Sequence, residues 1–206
     1  RFTALQSGEV DVLVRNTTYT SSRDGGEAAT FLTTTYYDGQ GMMVPADSGF
    51  TTIEDMTDTT ICVLSGTTTE VNLTARMADI PYTPLTFDEN PQIQAAFIEG
   101  QCDGWTSDKS QLAGVRSAWP EDQGGPEALV ILEETFSKEH LGPAVLDGDS
   151  QWAQVVDWIV LATMQAEEFG IDSTNVDTFA DTEDTNIRNF LGPPVETEEG
   201  TAPFDP

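Results

Sequence analysis

The sequence predicts an α/β fold with two lobes, and three observations support this class. Short apolar runs typical of strands alternate with helical patterns, which favours layered α/β architecture with mostly parallel sheets. The stretches 5–13 and 97–105 share one plan, in which a helix end and a glycine precede a strand that carries an aspartate, so we expect two related lobes. With 206 residues, the chain can form one large or two modest domains, each with a core.

The first predicted elements are a short helix and a strand. Phe2 and Leu5 share a helix face that ends at Gly8, and residues 10–14 are predicted to form a strand. The next extended segment, residues 35–44, contains two glycines. Its GQGMMV motif lacks the third glycine and the following helix of a dinucleotide-binding loop, so we interpret the segment as a crossing between lobes.

The second lobe is predicted from strands that alternate with helix signals. The run TTICVL ends at Leu64 and leads through a glycine into a helix start with three threonines. Asn90 and Pro91 are typical of an N-cap and the first helical position, and this helix gives way to a strand near Cys102. A further apolar strand is expected at residues 128–132.

The C-terminal part contains the longest predicted helix. The segment 141–145 is expected to cross back to the first lobe, and the helix begins at Asp149 or Ser150 and ends at Gly170. Its apolar stripe has helical spacing and predicts core packing. The stripe consists of Trp152, Val155, Val156, Ile159, Ala162 and Ala166. The last residues are rich in proline and acid, which is typical of a tail.

The charge of the chain excludes two classes of partner. It has 36 acidic and 8 basic residues, a net charge of −28, and such a chain repels nucleic-acid phosphates and anionic lipid surfaces. The acids are scattered along the sequence, which indicates an acidic folded surface suited to salty surroundings. An acidic patch for a basic partner is the alternative. No uninterrupted apolar run is long enough to cross a bilayer.

Residues for catalysis or metal binding are scarce. His140 is the only histidine, which excludes a site with two histidine ligands. The nucleophile-elbow motif GxSxG and the phosphate-binding P-loop motif are both absent. Asp147 and Asp149 could bind a hard cation, but acids just before a helix are typical of a turn and an N-cap. We therefore predict no catalytic residue, no metal site and no cofactor.

The two cysteines leave two interpretations open. Cys62 and Cys102 both lie in strand-like runs and lack the CxxC spacing of a redox pair. They are either two small buried thiols or a disulfide between neighbouring strands. A disulfide would indicate an oxidising compartment.

The stretch SGTTTE, residues 65–70, is the first signal of a binding site. Thr67 and Glu70 have the spacing of a capping box. The unpaired N–H groups and the positive dipole end of the helix favour an anion such as a carboxylate, and the neighbouring hydroxyls can donate to it. A threonine-rich helix start that serves only as a cap is the alternative.

Further polar residues follow two other strands. Asp108 ends a strand, where ligands of open α/β sheets collect, and an aspartate there can pair with an ammonium group. Asn16, Thr18 and Arg23 follow the strand at 10–14, and a guanidinium can bind a carboxylate through two parallel hydrogen bonds. Hydroxyls, an arginine and a carboxylate together fit a zwitterion, so a free amino acid is the expected ligand.

Six blocks, taken in order, resemble one protein family. They are RFTALQSGEVDVL, RNTTYTSSRD, TYYDGQGMMV, CVLSGTTTE, CDGWTSDKSQLAG and SKEHLGPAV. They are similar to the extracytoplasmic amino-acid-binding proteins of polar amino-acid ABC transporters, in particular to the general L-amino-acid-binding branch. The resemblance implies a type II periplasmic-binding-protein fold, with two α/β lobes, two crossing strands and closure around the ligand. The implied order is part of lobe I at 1–38, lobe II at 39–135, a return to lobe I with the long helix at 136–192, and a tail at 193–206.

The resemblance also implies roles for six residues. Arg23 corresponds to the arginine that fixes the α-carboxylate of the ligand, and Asp108 to the acid that takes its α-ammonium group. The other four hold polar groups of the ligand from lobe I (Asn16 and Thr18) or meet the carboxylate at the helix start (Thr67 and Thr68).

A setting for the protein follows from the same resemblance. It would deliver a free L-amino acid to the membrane permease of an ABC transporter, in a periplasmic or extracellular location with or without a lipid anchor. The cysteine-bearing strands are neighbours in the family, which favours a disulfide between Cys62 and Cys102. Family members have a further strand–helix–strand segment before RF and continue past this tail, so lobe I is expected to be incomplete, with a sheet edge that a second chain could cover.

Two other functions stay open at this point. One is an enzyme on the same fold, such as a dehydratase of cyclic acids, for which Asp108 and His140 are the only candidate acids or bases. The other is a truncated lobe that serves only in assembly or sensing and binds no small molecule.

Overall fold

Helices and strands alternate along most of the chain in the computed structural model, which describes residues 1–192, 195–197 and 200–202. The helices are α1 (Phe2–Gln6), α2 (Ser21–Gly26), α3 (Thr68–Arg76), α4 (Asn90–Ile98), α5 (Lys109–Ser117), α6 (Ser150–Phe169) and α7 (Thr185–Leu191). The strands are β1 (Val12–Leu13), β2 (Ala29–Phe31), β3 (Tyr36–Asp38), β4 (Gln40–Pro45), β5 (Thr59–Leu64), β6 (Tyr82–Phe87), β7 (Gly104–Asp108), β8 (Leu129–Ile131), β9 (Glu139–Leu141), β10 (Ala144–Leu146), β11 (Val195–Thr197) and β12 (Gly200–Ala202). None of the helices in the described ranges is long and apolar enough to cross a membrane.

Two larger sheets and one two-stranded pair lie within the first of the chain's two compact units, which are residues 1–147 and 148–206. One sheet has the strand order β1-β10-β2 and the other has the order β6-β5-β7-β4-β8. The α/β class is therefore confirmed. The expectation of mostly parallel sheets is wrong, because β4 runs antiparallel to both β7 and β8, and the smaller sheet is antiparallel throughout. Only β5, β6 and β7 are parallel neighbours, and helices connect these three strands in the way parallel pairing requires.

Two short strands, β3 and β9, form an antiparallel pair that joins the two sheets. They correspond to the two crossing strands that the family resemblance implies, but the segments expected to cross, 35–44 and 141–145, are only partly right. Gln40–Pro45 is a strand of the five-stranded sheet, and Ala144–Leu146 is a strand of the smaller sheet. Gly39 separates β3 from β4, and a Cβ atom at this position would lie 2.7 Å from the backbone oxygen of Ser137. The returning segment therefore approaches so closely that only glycine fits at the start of β4, which explains one of the two glycines in the GQG motif.

The core of the first unit covers both faces of the five-stranded sheet. Met43 and Cys62 belong to the cluster on one face, whereas Met42 and Val63 belong to the cluster on the other. Successive strand residues point to opposite faces, so a strand buried on both faces needs a continuous apolar run. This is the physical reason for the sequences TTICVL and GMMV, which lack polar alternation.

The helix starts differ slightly from the predictions. Helix α4 begins at Asn90, but its N-cap is Glu89, whose carboxylate takes part in a capping box with Gln92. The prediction of Asn90 as N-cap is therefore off by one residue, because a glutamate can accept from the helix N–H groups as well. Helix α6 starts as predicted, with the carboxylate of Asp149 accepting from the Trp152 N–H at 2.9 Å.

The apolar stripe of α6 is not core. Val156 is the one buried residue of this helix, whereas Val155 and Ile159 are 49% and 58% exposed. Helical spacing shows that one face is apolar, but burial needs a partner surface, and the prediction of core packing is wrong in this chain. The predicted tail, 193–206, lies outside the described residues apart from β11 and β12, which pair antiparallel.

A disulfide joins Cys62 of β5 to Cys102, which lies just before β7. The two strands are parallel neighbours, and the Cα atoms of the two cysteines are 5.7 Å apart. Both residues are buried. The disulfide that the family resemblance favours is therefore confirmed, and the interpretation as two free thiols is wrong.

Removing this disulfide should destabilise the fold. The bond closes a loop with a sequence separation of 40 residues, and a loop of this length loses enough unfolded-state entropy to stabilise the native state by about 2–4 kcal/mol. We expect the double variant Cys62→Ala/Cys102→Ala to lose free energy of unfolding in this range, measured by urea denaturation. Dithiothreitol should destabilise the wild type but not the variant, and an equal effect on both would contradict the assignment.

Candidate ligand-binding site

A polar cavity lies at the carboxyl ends of β5 and β7, which terminate at Leu64 and Asp108. This is the edge where open α/β sheets bind ligands. The structure brings all six predicted residues to this cavity, from the segment after β1, from α2, from the start of α3 and from the end of β7. They are Asn16, Thr18, Arg23, Thr67, Thr68 and Asp108.

The start of α3 forms one wall of the cavity. Gly66 has a φ of +64° and turns the chain out of β5. The Thr67 hydroxyl accepts a hydrogen bond from the N–H of Glu70 at 3.2 Å and donates to the Leu64 carbonyl at 2.7 Å. The Glu70 carboxylate accepts from the N–H of Gly66, at 2.8 Å, rather than from that of Thr67. The helix start is thus capped by one threonine and one glutamate.

The other two threonines at this helix start have different contacts. The Thr68 hydroxyl lies 3.4 Å from the hydroxyl of Thr18, which belongs to the segment after β1. The Thr69 hydroxyl is 2.7 Å from that of Thr67. Of the three, Thr67 alone accepts from a helix N–H group, so the run of threonines is more than a cap. It places several hydroxyls beside the free N–H groups of a helix N-terminus, which favours an anion.

A buried glutamine, Gln40, holds this helix start against the sheet. Its amide nitrogen donates to the Thr69 carbonyl at 2.8 Å and to the Thr106 hydroxyl at 2.9 Å. Thr106 in turn donates to the carbonyl of Gly41 at 2.8 Å. Since the glutamine is fully buried, this network fixes the distance between the start of α3 and strand β7.

Arg23 belongs to α2 and reaches the cavity from the side of the smaller sheet. One of its guanidinium nitrogens donates to the Thr18 carbonyl at 2.9 Å, and the guanidinium carbon lies 5.6 Å above the centre of the Phe2 ring. These contacts hold the guanidinium in place. Burial lowers the pKa of Arg23, and the nearby carboxylates of Glu139 and Asp108 oppose this shift.

The Asp108 carboxylate faces the cavity from the end of β7. The residue is only 6% exposed. One carboxylate oxygen accepts from the side-chain amide of Asn16 at 3.3 Å, while the other oxygen has no hydrogen-bond partner among the described residues. Burial raises the pKa of Asp108 to about 6, with further contributions from Asp38 and Glu139. A buried acceptor without a partner is costly, and it is suited to receive a donor from a ligand.

The crossing strand β3 contributes to the placement of this acid. The Asp38 carboxylate accepts from the N–H of Gly39 at 2.7 Å and from that of Ser110 at 3.2 Å. Ser110 lies in the first turn of α5, which follows Asp108 directly. An acid at a helix N-terminus stabilises that helix, so β3 and the start of α5 hold Asp108 at the cavity.

Two named relatives share 44% of the aligned sequence. The chain is 44% identical over 203 residues to the general L-amino acid-binding periplasmic protein AapJ of Rhizobium johnstonii. This alignment covers 98% of this chain and 58% of AapJ. It is also 44% identical over 195 residues to the glutamate/glutamine/aspartate/asparagine-binding protein BztA of Rhodobacter capsulatus, covering 93% of this chain and 56% of BztA. No protein-family model matches the chain.

A solved structure agrees with these sequence relatives. The ABC transporter periplasmic binding protein of Brucella ovis, solved with glutathione bound, has a TM-score of 0.86 and 41% identity to this chain, covering 96% of it and 62% of the Brucella protein. The chain is a homologue of the periplasmic amino-acid-binding proteins of ABC transporters. The predicted type II periplasmic-binding-protein fold is confirmed, and the chain spans less than two thirds of the length of these relatives.

Sequence reasoning missed several residues that line or support the cavity of this binding-protein homologue. Arg15 and Arg1 both line it, and Gln40 supports it. Arg15 has a visible signal, since it follows the strand-like run at 10–14 and precedes Asn16. Gln40 is recognisable as a polar residue at the start of an otherwise apolar strand, whereas nothing in the local sequence points Arg1 towards a cavity.

Residues considered for catalysis or metal binding lie elsewhere. The His140 ring packs edge-on against Tyr37 at 5.2 Å between centroids and does not line this cavity. Asp147 accepts from the Thr30 hydroxyl at 2.6 Å, and Asp149 caps α6. Among the described residues, no group of three or more potential ligands is placed to hold a metal ion.

The unpartnered carboxylate of Asp108 should make the ligand-free protein less stable as the pH rises. The pKa of Asp108 is raised in the folded state, so its ionisation is easier in the unfolded chain. Asp108→Asn should therefore be more stable than the wild type at pH 8, by up to about 3 kcal/mol for a shift of about two pKa units. The difference should shrink mainly between pH 6 and pH 4, the interval between the folded and unfolded pKa values, and vanish only well below pH 4, where the carboxyl is protonated in both states.

Denaturant unfolding at pH 4, 6 and 8 would measure this difference. Glu133→Gln, at an exposed acid, is the matched control and should follow the wild type. A wild type as stable as Asp108→Asn at pH 8 would show that the buried carboxylate carries no such cost.

Proposed function

We propose that this chain binds a free L-amino acid in the polar cavity and delivers it to the permease of an ABC transporter. The observation that carries the proposal is that one hydroxyl-lined cavity holds both the Arg23 guanidinium and a buried Asp108 with one unpartnered carboxylate oxygen. An amino-acid zwitterion has a carboxylate that would bind Arg23 and an ammonium group that would bind Asp108. The relatives support the same role, since AapJ and BztA are named for amino-acid binding.

The α-carboxylate of the ligand would lie between Arg23 and the start of α3. The guanidinium offers parallel donors, and Thr67 and Thr68 add hydroxyls next to the free N–H groups of the helix. The Thr18 hydroxyl already lies 3.4 Å from that of Thr68, so a carboxylate here would be bound both by the segment after β1 and by the start of α3. Such a pocket excludes water, which strengthens the charge pairing.

The α-ammonium group would bind the free oxygen of Asp108. The other oxygen stays with the Asn16 amide, so Asn16 orients the acid without competing for the ligand. An ammonium group would satisfy the buried acceptor and favour the ionised carboxylate, which lowers its pKa on binding.

Location and partners complete the proposal. A disulfide suits an oxidising compartment, which agrees with a periplasmic or extracellular location, and a lipid anchor would be compatible with it. The membrane permease is the proposed recipient of the ligand. The edge strands β1 and β2 of the smaller sheet are the proposed place for self-association.

We expect binding without turnover. The groups on the cavity fit an intact amino acid, and the named relatives are binding proteins. A dehydratase acting on cyclic acids would need an acid or base beside the reacting carbon, and Asp108 is the one described carboxylate on the cavity. Consumption of a cyclic acid that stops in Asp108→Asn would favour the enzyme instead.

A thermal-shift panel of the twenty L-amino acids in high salt tests the proposal directly. A ligand that binds only the folded state stabilises it by about 2.7 kcal/mol at a hundredfold excess over its Kd. We expect a clear shift with at least one amino acid and none in Arg23→Gln. No shift with any amino acid would contradict binding by this chain.

A matched pair of variants on α3 tests the hydroxyl wall. Thr68→Val removes a hydroxyl on the cavity and should raise the Kd about tenfold, since a hydrogen bond to a charged group contributes about 1.5–3 kcal/mol. Thr74→Val removes an exposed hydroxyl that donates to the Glu70 carbonyl in the same helix and should leave the Kd unchanged. Equal effects of the two changes in calorimetric titration would exclude Thr68 from the site.

Ligand affinity should fall in acid because only ionised Asp108 pairs with an ammonium group. With a pKa of about 6 in the free protein, binding below that pH must first remove a proton. The Kd should rise roughly tenfold per pH unit below about pH 5.5 and stay flat from pH 7 to 8. Calorimetry at pH 5, 6, 7 and 8 measures the profile, for which Glu133→Gln is again the control. A wild-type Kd that is constant over this range would assign the ammonium group to another partner.

A further inference from the structure

We propose that the cavity is specific for an amino acid with a second carboxylate, such as L-glutamate or L-aspartate, and that Arg1 and Arg15 recognise its side chain. This inference rests on the proposed amino-acid binding and names the ligand class for the same cavity. It follows from the number of cations on the cavity, from their lack of carboxylate partners and from the space beside Arg15.

Arginines are concentrated on this cavity. The chain has six arginines and two lysines among 36 acids, yet Arg1, Arg15 and Arg23 all line this one cavity. Half of the arginines therefore lie at a single site of a chain with a net charge of −28. Such a local excess of positive charge attracts anionic ligands.

These three arginines have no ion-pair partner among the described residues. The salt bridges of the described part of the chain join a different arginine, Arg76, to Glu54 and Glu134. Arg1 donates to the backbone carbonyl of Asn16 at 2.5 Å, which holds its guanidinium without an ion-pair contact, although the charge of Asp108 offsets part of it. In a protein with so many acids, unpaired arginines at a cavity indicate that the neutralising charge comes from the ligand.

The charges of Arg15 and Arg23 also act on Arg1, and this supports the interpretation. Burial, followed by the charges of Arg15 and Arg23, lowers the pKa of Arg1 to about 10, against the opposing effect of Asp108. Arg15 and Arg23 are thus close enough to Arg1 to disfavour its charged form in the empty protein. An anion bound between them would relieve the repulsion.

The backbone groups of an amino acid neutralise only part of this charge. The α-carboxylate pairs with Arg23 and the α-ammonium with Asp108, so Arg1 and Arg15 keep their charges. A neutral side chain would leave both cations unpaired in a closing cavity, and a basic side chain would add a like charge beside them. A carboxylate at the end of the side chain pairs with them, as guanidinium groups bind carboxylates through parallel hydrogen bonds.

The space for such a side chain lies beside this cavity rather than within it. A second cavity adjoins the first and shares Arg15, Asn16 and Gln111 with it, while Asn90 and Ser110 complete its lining. Arg15 is an exposed residue at the boundary of the two cavities. A side chain that extends from the Asp108 end towards the second cavity would bring its terminal group to Arg15.

Titration calorimetry with matched ligands tests the inference on the whole chain. L-Glutamate and L-glutamine have the same shape but differ in side-chain charge. We expect the Kd for L-glutamate to be at least about tenfold lower than that for L-glutamine. In Arg15→Gln this ratio should fall several-fold, and in Arg1→Gln/Arg15→Gln it should approach one. Raising the salt concentration should lower the wild-type ratio as well, because screening weakens the extra charge pairing.

Arg116→Gln is the charge-matched control. Arg116 lies on α5, donates to the Pro126 carbonyl and does not line the cavity, so its variant should keep the wild-type ratio. Equal affinity for the two ligands, or a ratio that Arg15→Gln leaves unchanged, would overturn the inference while the proposed amino-acid binding stands. Binding of neither ligand, and of no other amino acid, would instead contradict the proposed function.

Discussion

The burial of the Asp108 carboxylate is the constraint around which the site is arranged. An acid that is 6% exposed, with one oxygen lacking a partner, costs folding free energy that an asparagine would not. The surrounding fold tolerates it because the backbone on both sides is held. β7 lies between β5 and β4 in the sheet, and α5 begins directly after the acid, with Asp38 accepting from its first turn. A rigid frame thus keeps a poorly solvated group available for a ligand.

The segment 38–40, where the crossing strand β3 leads into β4, positions the groups that would bind the two ends of the proposed ligand. Asp38 at the end of β3 holds the start of α5 beside Asp108, and Gln40 at the start of β4 holds the start of α3. Only Gly39 separates these two residues, and its lack of a side chain lets the returning strand pass at contact distance. The ammonium-binding and carboxylate-binding walls are therefore positioned by three consecutive residues of the segment that joins the two sheets. A change in this segment would move both walls together.

How far the sequence predicts the structure depends on whether a feature is local. The cap at Thr67 and the strand that ends at Leu64 follow from short-range chemistry, and both are present. Other features depend on contacts between distant residues, which periodicity does not encode. They are the direction of β4, the surface that packs against the apolar face of α6, and the approach of Arg1 to the cavity. The apolar face of α6 shows the limit of periodicity, because residue spacing identifies the face but not whether another part of the protein packs against it. The pairing of Cys62 with Cys102 became predictable only through a family resemblance.

Two contacts already join the two sides of the cavity without a ligand, and both are compatible with the proposed ligand binding. Asn16 donates to one oxygen of Asp108 at 3.3 Å, and Thr18 lies 3.4 Å from Thr68 through their hydroxyls. Neither contact involves the free oxygen of Asp108, so an ammonium group can bind there without breaking the link through Asn16. If an amino acid binds as proposed, neutralising the charges on the cavity would weaken their mutual repulsion and favour contact between the two sides. Binding and closure would then stabilise each other.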